Sequence, residues 1–169
     1  MNHHIIINRL AENKQVFEAL LKNIPDELIK WRPAENKWSL LEIINHLCDE
    51  EREDFRCRLD LTLGDPCSEW PSIDPASWVN ERKYMDKDFK DSVNAFLAER
   101  DKSIKWLNNL EAPNWKSTYQ HKLLGPMSAE NILSNWLAHD LLHIRQITAV
   151  HWEFLSGLSE ANLNYAGNW

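Results

Sequence analysis

Glycine is the residue that this chain most clearly lacks, with four among 169 residues. Ordinary proteins contain about 7% glycine, much of it in tight turns that need positive φ angles. A chain with so little glycine has few such turns. This shortage favours long helices over a fold of many short strands.

Long apolar runs and basic clusters are also missing. The N-terminal stretch MNHHIIINRL has only three consecutive isoleucines, so we expect neither a signal peptide nor a membrane-spanning segment. The formal net charge of -7 disfavours nucleic acid and anionic membranes as partners, because both attract clustered Lys and Arg. The sequence therefore predicts a cytoplasmic protein.

Cysteine pairs with the spacing of a metal knuckle are absent. The three cysteines, Cys48, Cys57 and Cys67, are an odd number and form no C-x-x-C motif. This pattern disfavours both a disulfide framework and a structural zinc knuckle. We expect three reduced thiols.

Four segments have the apolar periodicity of amphipathic helices. They cover roughly residues 4–24, 39–64, 89–110 and 128–157. Ser39 and Glu42 have capping-box spacing at the start of the second segment, and Ser128 is the N-cap candidate of the fourth. No segment is a convincing strand.

The two middle connections are too long for simple hairpins. Residues 65–87 contain three prolines without a sustained period, and residues 111–127 form an irregular connector with a turn at Gly125 and Pro126. We therefore predict an all-α fold, a four-helix bundle forming one domain over residues 1–169, in which at least one connection crosses over.

The fourth helix carries two histidines within its apolar face. At about 100° per residue, one stripe contains Ile132, Trp136, His139, His143, Ile147, Val150 and Phe154. A spacing of four residues places both imidazoles on the same side, where one metal ion can contact both. A buried ring without a partner costs about 1–3 kcal/mol, so either a metal ion or core hydrogen bonds must satisfy these rings.

The second helix offers a third imidazole. His46 lies beside Ile43 and Leu47 on the flank of the apolar face. Metal sites in helical bundles are built from inward side chains of facing helices. The candidate metal ligands are therefore His46, His139 and His143.

Glu50 follows His46 by one helical turn and lies about 40° from it around the helix. From there it can act as a further ligand or accept a proton, and we take it as the candidate catalytic residue. Glu51, about 140° away, and Glu53 are assigned to a solvated face, which is typical of a charge run such as CDEERED.

The remaining polar residues near these motifs are weaker candidates. His3 and His4 are terminal, His121 lies in a connector, and His151 falls about 120° around the fourth helix from His139. Gln146 and Asp140 are candidates for orienting the imidazole N–H groups. A solvated or capping role is the simpler interpretation of Asp140.

Three interpretations remain open from these residues alone. The first is an enzyme in which three imidazoles leave a coordination position of the metal free. The second is a non-catalytic module in which an ion joins two helices and the surface binds a partner. The third is a metal-free bundle with hydrogen-bonded core histidines.

The combination of motifs resembles the DinB-like family of metal-binding four-helix bundles. The resemblance rests on KWSLLEIINHLCDEE, AERDKSIKWL and GPMSAENILSNWLAHDLLHIRQI, in the order of the family. The most specific part is H-D-x-x-H-x-x-Q-I after a short glycine-containing turn.

This resemblance implies an up-down-down-up bundle with a long crossover between the second and third helices. It also implies a zinc or nickel ion at His46, His139 and His143. Relatives include transferases and isomerases that use low-molecular-weight thiols, and proteins described as metal-dependent hydrolases. Expected partners are therefore a small-molecule substrate, such as one of these thiols, and a second copy of the chain in a homodimer.

Overall fold

The apolar periodicity of the sequence produces four long helical segments in the computed structural model, which describes residues 2–167. The helices are α1 (His3–Leu20), α2 (Asp26–Ile29), α3 (Leu40–Asp49), α4 (Cys57–Gly64), α5 (Pro75–Glu81), α6 (Phe89–Asn108) and α7 (Ala129–Leu158). A π-helix (Glu50–Arg56) joins α3 to α4 without a break, and 3₁₀ turns occupy Tyr84–Asp86 and Leu163–Ala166. None of the helices in the described part of the chain is long and apolar enough to cross a membrane.

The starts of the two histidine-bearing helices are set by the predicted caps. The Ser39 hydroxyl accepts from the Glu42 amide at 3.4 Å, and the Glu42 carboxylate accepts from the Ser39 amide at 2.9 Å. At the start of α7, the Ser128 hydroxyl accepts from the Asn131 amide at 3.1 Å. Both predicted helix starts are thus confirmed.

Two apolar clusters show the direction of each helical segment. The first cluster joins the end of α1, the start of α3, the start of α6 and the end of α7. Its members include Phe17, Ile43, Phe96 and Ile147. The second joins the start of α1, α4, the end of α6 and the start of α7. Its members include Leu10, Leu59, Leu107 and Leu133. The order along the chain is therefore up-down-down-up, as expected for a bundle with a crossover between α4 and α6.

The crossover is more ordered than its sequence predicted. Residues 65–87 contain α5, which is capped by the Asp74 carboxylate accepting from the Ser77 amide at 3.1 Å. Trp78, Val79 and Tyr84 pack together against Trp38 and cover that side of α3. A helix of seven residues is too short to display a helical period, which explains why the sequence predicted only a long connection here.

A small hairpin also corrects the prediction that no strand is present. Strands β1 (Thr118–His121) and β2 (Gly125–Ser128) pair antiparallel, with Thr118 opposite Ser128 and His121 opposite Gly125. Gly125 adopts a φ of 74°, which glycine tolerates without a Cβ clash. Each strand has only four residues, and β2 includes a proline, so alternation was too short to detect.

A buried arginine connects all four helical segments. Arg100 of α6 is 1% exposed, and its guanidinium donates to both carboxylate oxygens of Glu51 at 2.8 Å and to both of Asp140 at 2.6 Å. It also donates to the Leu10 carbonyl of α1 at 3.1 Å. Burial alone would lower the pKa of Arg100, but the two carboxylates outweigh it and raise that pKa above its usual value.

We expect Arg100→Met to lower the free energy of unfolding by about 3–5 kcal/mol, because it leaves two carboxylates buried without a counter-charge. Urea unfolding measures this loss. Arg9→Met is the matched control, since the Arg9–Glu12 pair is exposed and such pairs contribute less than about 1 kcal/mol. Equal losses in the two variants would contradict a central role for Arg100.

Candidate metal centre

Three histidines meet in the interior between α3 and α7. Ligand-capable nitrogens of His46, His139 and His143 all lie within 4.8 Å of one another. The Nε2 atoms of His139 and His143 are 3.1 Å apart. The structure therefore brings together the three side chains that the sequence predicted as a set.

Local helix geometry explains this convergence. His139 and His143 follow Trp136 in the predicted stripe of α7, and Trp136 and Ile147 on either side are 1% and 0% exposed. Every residue of Leu40–Asp49 is buried, and His46 is 6% exposed. Aromatic rings also pack against the histidines. The ring centroid of Trp38 lies 4.8 Å from that of His46, and the ring centroid of Phe55 lies 5.0 Å from that of His139.

Burial keeps the imidazoles uncharged at neutral pH. It lowers the pKa of His46 to about 3, with a smaller contribution from His143, and that of His139 to about 2. Burial also lowers the pKa of His143, although the Gln146 side chain and Asp140 act in the opposite direction. Neutral imidazole is the form that binds metal ions.

The hydrogen bonds of the rings are incomplete. The Nδ1 atoms of His46 and His143 are buried without a hydrogen-bond partner among residues 2–167. Two nitrogens bound tetrahedrally to zinc at about 2.0–2.1 Å lie about 3.3 Å apart, close to the spacing of the two α7 nitrogens. The residues therefore fit a transition-metal ion better than they fit a closed hydrogen-bond network.

Glu50 lies beside this cluster, as predicted. It is 5% exposed, and its Oε2 is 3.9 Å from Nε2 of His139, while Oε1 has no hydrogen-bond partner in the described chain. Burial raises the pKa of Glu50 to about 8, and the neighbouring Asp54 adds to the effect. A carboxyl group with this pKa can hold or release a proton near neutral pH.

The assignment of the charge run to a solvated face is wrong for Glu51, which is 2% exposed and bound to Arg100. The helix is a π-helix from Glu50 onward, and its wider turns change the angle between successive side chains. As a result Glu50 and Glu51 both point inward. Glu53 does lie further out, where the Arg82 guanidinium lowers its pKa to about 2.

Asp140 is neither solvated nor a cap, so the simpler interpretation of it is wrong. It is 0% exposed, and its carboxylate accepts from Arg100 and from the Asn13 amide at 3.0 Å. Its negative charge acts on the His143 imidazole and raises the pKa of that ring against the effect of burial. Gln146 lies at the site, because it lines a cavity of about 400 Å³ together with His46 and His143.

The other histidines lie elsewhere. The His121 Nδ1 accepts from the Leu123 and Leu124 amides at the hairpin tip. His151 lies 3.2 Å from the Leu20 carbonyl, and His3 stacks on Trp115. His4 is exposed on α1. The members of the described cluster are thus limited to the three predicted histidines.

Sequence reasoning missed Arg100. It also missed the hydrogen bond in which the indole N–H of Trp136 donates at 3.0 Å to Glu51, the carboxylate that pairs with Arg100. The sequence did indicate that Arg100 is buried, because it lies between Phe96 and Leu107 on the apolar face of α6. A cation within such a stripe requires buried carboxylates, but the sequence does not say which ones.

The lowered histidine pKa values predict acid sensitivity of the metal-free protein. Below the unfolded value of about 6.5, the unfolded chain binds protons that the folded chain does not, so the free energy of unfolding falls with pH. We expect a loss of up to about 1.4 kcal/mol per pH unit for each buried ring, continuing towards pH 3 for His46. Urea unfolding in a chelator between pH 7 and pH 5 measures it.

His46→Gln should reduce this slope, because glutamine does not titrate. The control is His4→Gln, at an exposed position, which should leave the slope unchanged. An identical pH dependence in wild type and His46→Gln would show that burial of His46 does not affect its protonation.

Comparisons with known proteins agree with this geometry. The solved structure of YfiT from Bacillus subtilis superposes with a TM-score of 0.79 at 18% identity, covering 90% of this chain and 87% of that one. It is described as "a probable metal-dependent hydrolase with an unusual four-helix bundle topology". None of the curated proteins is significantly similar in sequence. The DinB superfamily model matches residues 9–147, a span that includes the three histidines and Glu50, and the chain therefore belongs to the DinB superfamily.

Proposed function

We propose that this protein is a metal-dependent enzyme acting on a small molecule, with His46, His139 and His143 as ligands of a zinc or nickel ion and Glu50 as its proton acceptor. The reaction is hydrolysis or transfer to a low-molecular-weight thiol. YfiT, which has the same fold, is described as "a probable metal-dependent hydrolase", and this description supports the hydrolytic branch.

The observation that carries the proposal is the convergence of three neutral imidazoles, of which His46 and His143 each have a nitrogen without a hydrogen-bond partner in the described chain. A catalytic zinc site uses three protein ligands and keeps one position free, whereas a structural site is closed by four. Imidazole also suits nickel. When bound, such an ion would supply Lewis acidity that lowers the pKa of a water or thiol at the site.

The charge around the histidines also favours a cation. Arg100 pairs with two carboxylates, Glu51 and Asp140, so this buried group has one negative charge in excess. A nearby divalent ion would balance that charge and favour the ionised form of Glu50.

The side chains around the histidines determine where a proton can be taken up and how polar the site is. Glu50 Oε1 is free of hydrogen bonds and can take a proton from a substrate atom at the site. Asp54 raises the pKa of Glu50 and is itself paired with Arg58 at 2.8 Å. Phe55 and Trp136, stacked with centroids 5.7 Å apart, keep that side of the site apolar.

A non-catalytic role is the second candidate, because the three ligands come from two helical segments and an ion would also join them. In that case bound metal raises thermal stability, but no ester or thiol is turned over. Elemental analysis of protein purified without an affinity tag tests both proposals. Less than about a tenth of an equivalent of metal, with no uptake of added zinc or nickel, would eliminate both.

We expect His46→Ala, His139→Ala and His143→Ala each to weaken metal binding by about 10²-fold or more, since each removes one of three ligands. Titration with zinc and nickel measures the affinities. His121→Ala and His151→Ala serve as controls, because both rings are bound elsewhere. Equal losses in His151→Ala and His143→Ala would refute the proposed ligand set.

Glu50→Gln should preserve metal content and reduce turnover of an ester or thiol substrate by about 10²-fold, the usual effect of losing a general base. Metal content and steady-state rates are measured on the same preparation. Glu53→Gln is the control, since Glu53 binds Arg82 away from the histidines. Loss of metal from Glu50→Gln would make Glu50 a ligand, and unchanged turnover would remove it from the mechanism.

Three further expectations stay predictions: a cytoplasmic location, a homodimer, and the absence of nucleic-acid or membrane partners. Exposed leucines on α7, including Leu155 and Leu158, are compatible with a contact between two copies. Sedimentation at micromolar concentration tests the dimer.

A further inference from the structure

Two adjoining cavities lead to the histidines from the surface. The first, of about 400 Å³, is lined by Asn36, Lys37, Trp38, His46, His143 and Gln146. The second, of about 640 Å³, shares His143 and Gln146 with the first and adds Arg145. We call these two cavities together the mouth of the site. His46 and His143 line the first cavity, so a small molecule that enters the mouth reaches these two ligands. His139 is outside the lining of both cavities, and its side chain is 19% exposed.

The mouth is positive in a negatively charged protein. Lys37 and Arg145 line it, and neither cavity has an Asp or Glu in the lining formed by residues 2–167. The chain as a whole has 26 acidic and 19 basic residues. The charge of this entrance is thus opposite to that of the protein around it.

Arg145 also differs from the other arginines. The other seven are each paired with a carboxylate. Arg145 has no ion-pair partner within the described part of the chain, and neither does Lys37. Their donors are therefore free to bind an anion that enters the mouth.

Building on the proposed function, we infer that the substrate carries an oxyanion, a carboxylate or phosphate, that Lys37 and Arg145 bind while its reacting atom lies at the histidines. The two cations lie on separate elements, Lys37 before α3 and Arg145 on α7. Guanidinium recognises either oxyanion through paired N–H groups, and the lysine adds a second positive charge. Asn36 and Gln146 line the first cavity and offer uncharged hydrogen-bonding groups there.

Thiol probes test this inference without requiring turnover. In protein loaded with cobalt(II), a thiolate that reaches the metal changes the visible spectrum, so titration gives a dissociation constant. The charged probes are 3-mercaptopropionate, the longer 6-mercaptohexanoate and 2-mercaptoethyl phosphate. The neutral amides of the two carboxylates are the reference ligands.

We expect wild type to bind at least one charged probe about tenfold more tightly than a neutral amide, as charge-assisted contacts predict. The preference should fall below about twofold in the double variant Lys37→Gln, Arg145→Gln, and should weaken with added salt. The control is Lys105→Gln, Lys116→Gln, which removes the same charge from exposed positions outside the mouth. Preference for the phosphate or for a carboxylate probe identifies the oxyanion.

The outcomes separate this inference from the proposed function. If thiols bind to the cobalt but charge has no effect in wild type, or if the double variant keeps the preference, the inference is wrong and the metal site stands. If the protein takes up no cobalt, the proposed function fails and the inference fails with it. If cobalt binds but no thiol alters the spectrum, the inference is wrong and the hydrolytic branch of the proposed function stands.

Discussion

The guanidinium of Arg100 is the constraint on which the interior depends. Arginine remains charged in proteins, so its burial requires carboxylates to be buried with it. Glu51 and Asp140 meet that requirement, and each is adjacent in sequence to a residue of the candidate site, Glu50 and His139 respectively. The ion pairs therefore fix the rotation of both histidine-bearing segments about their axes. A change in this network would move the imidazoles without touching them.

The apolar ends of the bundle and its polar middle layer contribute differently to stability and to the pairing of the helices. An apolar cluster lies at each end, and the polar groups lie between the two clusters. Burying ions costs more free energy than burying leucines, so the middle layer is a poor source of stability. Arg100, Glu51 and Asp140 are partners of one another in this layer, so an alignment of helices that separated them would leave buried charges unpaired. The same layer holds the histidines, where a transition-metal ion finds neutral rings and excess negative charge.

The bundle could be predicted from the sequence because its long helices have the usual N-caps and a regular apolar period. Ser39, Glu42 and Ser128 act locally as caps, and the stripe through His139 and His143 follows from helical period alone. The convergence of His46 with that stripe was also predictable, because a flank of the apolar face must approach a neighbouring helix. Short elements, such as α5 and the hairpin, have too few residues for a period. The burial of Glu51 and Asp140 depends on Arg100, far away in sequence, and no local pattern contains that information.

The π-helix at Glu50–Arg56 has a consequence for how this segment tolerates changes in length. A π turn accommodates one more residue than the α-helix around it. Deleting one residue there would close the π turn into regular α-helix, and the tighter winding would offset the lost residue. Leu59 would then stay at the second apolar cluster and His46 at the site. The change would fall on the segment itself, so the extra residue decides which side chains of Glu50–Arg56 face the histidines while the helices on both sides keep their orientation.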